Sequence, residues 1–130
     1  LQASDGKKYD KMLQAATKLY IKDSEVEGRG VFASADIAEG EILEECHFIF
    51  LTDADYGYLD DLKNYVYTFP IYSKTNCIVL GFGSTYNHST EPNADWETDE
   101  ENNLFRFTAT KAIAEGSEIL IDYKTSVNFT

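Results

Sequence analysis

Two stretches of this chain nearly repeat each other. Ala35-Asp36-Ile37-Ala38-Glu39-Gly40-Glu41-Ile42-Leu43 is echoed by Lys111-Ala112-Ile113-Ala114-Glu115-Gly116-Ser117-Glu118-Ile119-Leu120. Each runs from an apolar approach through Ile-Ala-Glu-Gly into an apolar strand. The glycine falls where a turn often needs positive φ. Both stretches read as strand–turn–strand corners, and two matching corners imply a pseudo-symmetric folded β unit. The pattern is too short for a solenoid repeat. Short β-type runs alternate with turn signals through most of the chain. No helix–strand alternation appears, which argues against a doubly wound dinucleotide fold.

The remaining segments are read by period. Residues 1–8 form a frayed polar terminus. Tyr9, Met12, Leu13, Ala16 and Leu19 recur at offsets of three and four, which predicts a short amphipathic helix within a tail spanning residues 1–19. Residues 53–69 are Asp- and Tyr-rich and predict a turn and a short helix from about Tyr58 to Tyr67, broken at Phe69-Pro70. Ile78 to Gly83 reads as a buried strand or an apolar turn. Residues 95–103 carry five carboxylates and two Asn and predict a solvated acidic loop. Leu104 to Thr110 alternates apolar and polar residues as a strand does.

At 130 residues the chain is one domain with a modest core. Its 23 acidic and 11 basic residues give a net charge of -12, which repels phosphate backbones and argues against direct nucleic-acid binding. The same surface attracts a basic peptide or protein, or serves solubility alone. Cys46 and Cys77 match no zinc spacing and read as buried free thiols of a reducing, intracellular compartment, with a single disulfide between them as the alternative. No apolar run is long enough to span a membrane, and no signal peptide is visible.

Three segments carry polar groups suited to chemistry. Gly28-Arg29-Gly30-Val31-Phe32-Ala33 has two glycines that let the backbone turn and approach a ligand. It lacks the third glycine and following helix of a dinucleotide fingerprint, and by itself it is a tight turn. Tyr86-Asn87-His88-Ser89-Thr90-Glu91-Pro92-Asn93-Ala94 supplies neutral amides and an imidazole that can satisfy irregular buried backbone; by itself it is a capped loop. Glu118-Ile119-Leu120-Ile121-Asp122-Tyr123 is a strand ending in a phenol, which by itself reads as an interior tyrosine.

Together, in this order and spacing, they resemble the SET family of lysine methyltransferases. Gly28 to Ala33 resembles the family's opening GxG-and-strand motif, and Ile37 to Glu44 the glycine turn and strand that follow. Asn87-His88-Ser89 with Pro92-Asn93-Ala94 resembles its NHS-x-x-PN segment. Gly116 through Tyr123 resembles its closing G-x-E-(L/I)-x-x-x-Y strand. The match covers roughly residues 20–124, and the SET domain is assigned to residues 20–130.

The resemblance implies a mostly β fold of the β-clip type. It consists of short twisted sheets with one or two short helices and a closing strand threaded in a C-terminal pseudoknot. It implies S-adenosyl-L-methionine as cofactor, with S-adenosyl-L-homocysteine as product, and no metal. Gly28, Arg29, Gly30, Asn87, His88 and Tyr123 are then the cofactor-binding candidates. Tyr123 and Tyr86 are the candidate catalytic phenols, and Trp96, Tyr65, Tyr67 and Tyr72 the candidate lysine-channel aromatics. For each of these aromatics, ordinary core packing is the competing explanation.

Departures from the family pattern matter too. Ser84 stands where an Arg often precedes the NHS segment. No cysteine-rich tail follows Tyr123, so Phe129 or a partner subunit is expected to close the channel. A homodimer is compatible with a domain this small, which can borrow a neighbour to finish its peptide groove. The implied partner is a basic protein such as a histone, a histone-like protein or a ribosomal tail. Two other readings stay open: a catalytically inactive SET-like peptide-binding module, and a structural β-clip domain with no cofactor affinity.

Overall fold

The computed structural model describes residues 9–60 and 65–124; the expectations for residues 1–8 and for Phe129 fall outside them. Ten short strands and one short helix make up this part of the chain, which bears out the mostly β expectation. β1 (Leu19–Asp23) and β2 (Arg29–Ala33) form an antiparallel hairpin across the Gly28 turn. β3 (Ile42–Cys46) leads into β4 (Phe48–Phe50). Helix α1 (Asp53–Gly57) follows, then β5 (Val66–Thr68), β6 (Asn76–Val79) and the short β7 (Asn87–His88). β8 (Ala94–Asp99), β9 (Leu104–Ala109) and β10 (Glu118–Ile121) complete the set.

The strands make three small sheets, ordered β1-β2-β10-β7, β3-β9-β8 and β4-β6-β5. β10 is central in the first. It runs antiparallel to β2 and parallel to β7, which comes from a distant part of the chain. The loop after β7 clasps it. Ser89 N donates to Ile121 O, Asn93 Nδ2 to Glu118 O, and Leu120 N to Asn93 Oδ1.

The repeated corners are related as the sequence suggests. Ile37 and Ile113 exchange both backbone hydrogen bonds, at 2.8 and 2.9 Å. Gly40 N donates to Ala109 O, and in the equivalent place Gly116 N donates to Ala33 O. Both glycines take left-handed backbone, φ 84° and 87°, a conformation that would cost other residues steric energy.

The core is aromatic. Phe48 stacks on Phe69 at 4.4 Å, Tyr86 on Phe107 at 4.7 Å, and Tyr67 meets Trp96 edge-on at 5.0 Å. Such pairs add to the area burial that drives folding.

Three local expectations are corrected. Residues 9–18 are not helical. They lie extended along β3: Glu45 N donates to Gln14 O, Gln14 N to Glu45 Oε1, and Lys11 pairs with Glu45 at 3.0 Å. Met12, one of the five apolar positions of the expected helix, is 89% exposed. The second expected helix, from about Tyr58 to Tyr67, lies partly on residues 61–64, outside the described residues, and its last part is corrected. Thr52 and Asp55 form a reciprocal capping box that starts α1 at Asp53, and Val66-Tyr67-Thr68, all strand formers, enter a sheet. The acidic loop is largely β8. Ala94 and Trp96 point inward while Asp95 and Glu97 point out, so an alternating strand was concealed under its charge. Arg106 on β9 gathers Glu97, Asp99 and the buried Glu45.

Candidate active site

The GxG turn, β7 and β10 meet at Asn87. Its Nδ2 donates to Glu27 O at 3.1 Å, weakly to Arg29 O at 3.4 Å, and to Glu118 Oε2 at 2.8 Å. Glu118 also accepts from Ser24 Oγ at 2.7 and 2.9 Å. Gly30 is required by this packing. A Cβ there would fall inside the van der Waals envelope of Glu118 Oε2 and 3.0 Å from Asn87 Nδ2. Gly28, by contrast, faces open space and is needed for its left-handed φ of 47°.

Tyr123 sits just beyond β10. Its hydroxyl donates to Tyr86 O at 2.7 Å, and its backbone N–H donates to His88 Nδ1 at 3.0 Å. Nδ1 also lies 3.9 Å from Asp122 Oδ1. The Tyr123 phenol is pushed up to about 12, first by burial, then by Tyr65, and further by the charges of Glu118 and Glu27, while the backbone link to His88 acts the other way. Carboxylates beside the GxG turn and on β10 thus act on the closing phenol.

The aromatic candidates separate. Tyr67 is buried, donates to Gly83 O at 2.6 Å, and feels the Tyr123 phenol electrostatically. Trp96, 3% exposed, packs against Tyr67 and donates its indole N–H to Asp122 O, next to Tyr123. Tyr65 is half exposed beside them. Tyr72 is not brought into this wall: it is 69% exposed on the turn after β5. The expectation for the Tyr86 phenol is corrected. It points into the core, 1% exposed, and donates to Glu44 Oε2 at 2.6 Å; the group that Tyr86 offers to Tyr123 is its carbonyl. The Arg29 side chain is exposed and lies 3.9 Å from Asp23, so only its backbone joins the site. Ser84, in the position of the missing Arg, bonds Val79 O and Tyr65 O.

Sequence reasoning assigned no role to Glu118, Asn93 or Glu44. All three lie inside quoted motifs, so their pattern was visible and only their partners were not. Glu44 in particular gives no sign of burial in the sequence, because a strand carboxylate ordinarily faces solvent.

A profile of the SET domain matches residues 28–124. This chain belongs to the SET-domain family. The SET domain is 31% identical over 108 residues to a Schizosaccharomyces pombe protein named as a histone-lysine N-methyltransferase specific for H3 lysine-37. That alignment takes in 81% of this chain and 72% of the relative. It is 30% identical over 139 residues to the N-lysine methyltransferase KMT5A of Xenopus tropicalis, covering 95% of this chain but only 41% of the frog protein. Among solved structures, a Plasmodium falciparum protein proposed to be a histone methyltransferase superposes with a TM-score of 0.73 at 31% identity, over 87% of this chain and 97% of that one. A Chaetomium thermophilum Polycomb Repressive Complex 2 structure, 23% identical over 85% of this chain and 15% of its own, shares the fold with a TM-score of 0.71.

S-adenosylmethionine carries a sulfonium and an ammonium. The groups around the GxG turn suit such a ligand: the carbonyls of Glu27 and Arg29 and the carboxylate of Glu118 are all acceptors, and Gly28 opens onto unfilled space.

Proposed function

We propose that this SET domain transfers a methyl group from S-adenosylmethionine to the ε-amine of a lysine in a basic protein, with histones the first candidates. The observation that carries the reading is the Tyr123 hydroxyl, held on Tyr86 O between the acidic GxG turn and the wall of Tyr65, Tyr67 and Trp96. The named relatives, all lysine methyltransferases, support the reaction class. The net charge of -12 supports a basic substrate. Among the described residues no helix is long and apolar enough to cross a membrane.

When bound, S-adenosylmethionine supplies an electrophilic methyl on a sulfonium. The chain's own part is alignment, which can contribute roughly 7–11 kcal/mol to lowering the barrier. Glu27, Arg29 and Gly28 present backbone to the cofactor, and Asn87 and Glu118 hold that backbone in place. Tyr123 stays protonated at neutral pH and commits its proton to Tyr86 O. Its oxygen then orients the incoming amine by accepting from it. That amine must be neutral. An ordinary lysine has a pKa near 10.4, so deprotonation at pH 7 costs on the order of 4–5 kcal/mol. A dry aromatic wall and a neighbouring cation both favour the neutral form. The proton leaves with water, because the Tyr123 phenol is already protonated and no base.

The test is transfer of labelled methyl to a panel of basic proteins, histones included, with Tyr123→Phe beside wild type. Label on lysine that falls at least about tenfold in the variant is the expected result. An unchanged rate in Tyr123→Phe would remove its assigned role. No label with cofactor bound by calorimetry would favour a binding module, and no cofactor binding would sink the reaction altogether.

A further inference from the structure

Glu44 is 3% exposed, and no Lys or Arg among the described residues pairs with it. A carboxyl in such a place costs desolvation that a leucine would not. Three donors converge on it instead. Tyr86 OH reaches Oε2 at 2.6 Å, Phe82 N reaches Oε1 at 3.2 Å, and the Cys46 thiol bonds it from the same strand. Burial raises the Glu44 carboxyl above its ordinary range, and these bonds act in the opposite direction.

The contacts hold one piece of backbone, residues 81–86. Gly81, with φ 70°, lets the turn come close: a Cβ there would lie 2.7 Å from Glu44 Oε1. Tyr67 OH ties the same turn from the other side at Gly83 O. The Tyr86 ring is stacked on Phe107 and held at its hydroxyl by Glu44, and the same residue turns its backbone carbonyl toward Tyr123. That carbonyl is the acceptor for Tyr123 OH at 2.7 Å.

We infer that Glu44 is a positioning residue for methyl transfer: through Tyr86 it fixes the carbonyl that orients the Tyr123 hydroxyl. The inference rests on the proposed role of Tyr123. It also predicts something that a purely structural carboxyl would not produce, namely an effect read at Tyr123 alone.

Tyr86→Phe keeps the ring stacked on Phe107, and Glu44→Gln keeps the side-chain shape, so the two variants perturb the link at either end. Two readouts are used. The first is the Tyr123 Cζ resonance in protein labelled with ¹³C-tyrosine, assigned by its loss in Tyr123→Phe; it needs no substrate. The second is methyl transfer to histones, with S-adenosylhomocysteine affinity measured beside it. The expected result is a shifted Tyr123 resonance in both variants. Beside it come a kcat about tenfold lower, as the loss of one charge-assisted bond would give, an unchanged affinity for S-adenosylhomocysteine, and a kcat loss that vanishes in the Tyr123→Phe background. An unmoved Tyr123 resonance, or an equal fractional loss with and without Tyr123, would overturn the inference. Full activity of Tyr123→Phe itself would instead remove the functional reading on which it rests.

Discussion

Replacing Gly30 with alanine tests the geometry of the site through one methyl group. Gly30 is not among the glycines with left-handed φ, so alanine meets no backbone strain there. The whole effect is steric. The new Cβ would take the place of Glu118 Oε2, and Asn87 Nδ2, at 3.0 Å, would have to give slightly. Glu118 is flexible, but moving it breaks its bonds from Ser24 and Asn87. Two bonds to a half-buried charged group, at the low end of about 1.5 kcal/mol each, make the cost about 3 kcal/mol. For a 130-residue domain that lowers Tm by roughly 10 °C. The assay is a double-mutant cycle with Glu118→Ala, read by thermal and urea unfolding. Once the carboxylate is gone, Gly30→Ala should add less than about 1 kcal/mol to the Glu118→Ala loss. If Gly30→Ala costs the same with and without Glu118, the clash is not its cause, and the reasoning that makes Gly30 a packing glycine is refuted.

Other consequences are open to direct measurement. Trp96→Ala should destabilise by about 3–5 kcal/mol, and Trp96→Phe by far less, since the phenyl ring keeps most of the packing and loses only the indole bond to Asp122 O; equal losses would count against this. Asp99 is held down to about 2, first by the Asn102 side chain and also by Arg106. Its unfolded value is near 4, so its stabilisation is complete above about pH 4 and is lost as the pH falls through about 2. Asn102→Ala should therefore lower stability at pH 5 but hardly at pH 2, which urea midpoints across that range would reveal. Cys46 and Cys77 are free and buried, with the Cys77 thiol pushed up to about 12 by desolvation. Iodoacetamide at neutral pH should leave both unmodified in the folded protein and label both in urea; rapid labelling of the native protein would contradict the buried assignment.

The sequence exposed much of the site because its chemistry lies in contiguous motifs. The residues Gly28 to Gly30, Asn87, His88 and Tyr123 are read in line and meet in space through β2, β7 and β10. What it concealed depends on partners far along the chain. Tyr9, Met12, Leu13 and Ala16 have helical spacing, yet the segment is tied to β3 by bonds between Gln14 and Glu45 that no local period encodes. The acidic run from Asp95 hid a strand because charge outweighed the quieter alternation of Ala94, Trp96 and Thr98. Tyr86 was taken for a channel phenol because nothing in the chain announces that Glu44 lies beneath it.

The central position of β10 has a consequence for how the protein is made. It is the last strand of the described chain to be synthesised, yet it stands between β2 and β7, which do not pair with each other. The sheets β3-β9-β8 and β4-β6-β5 contain no part of it and can pair before it docks. The hairpin β1-β2 then waits with an open edge, and Asn87 waits without Glu118. A chain can therefore be largely folded while the site around Asn87 is still open, and the docking of β10 completes it.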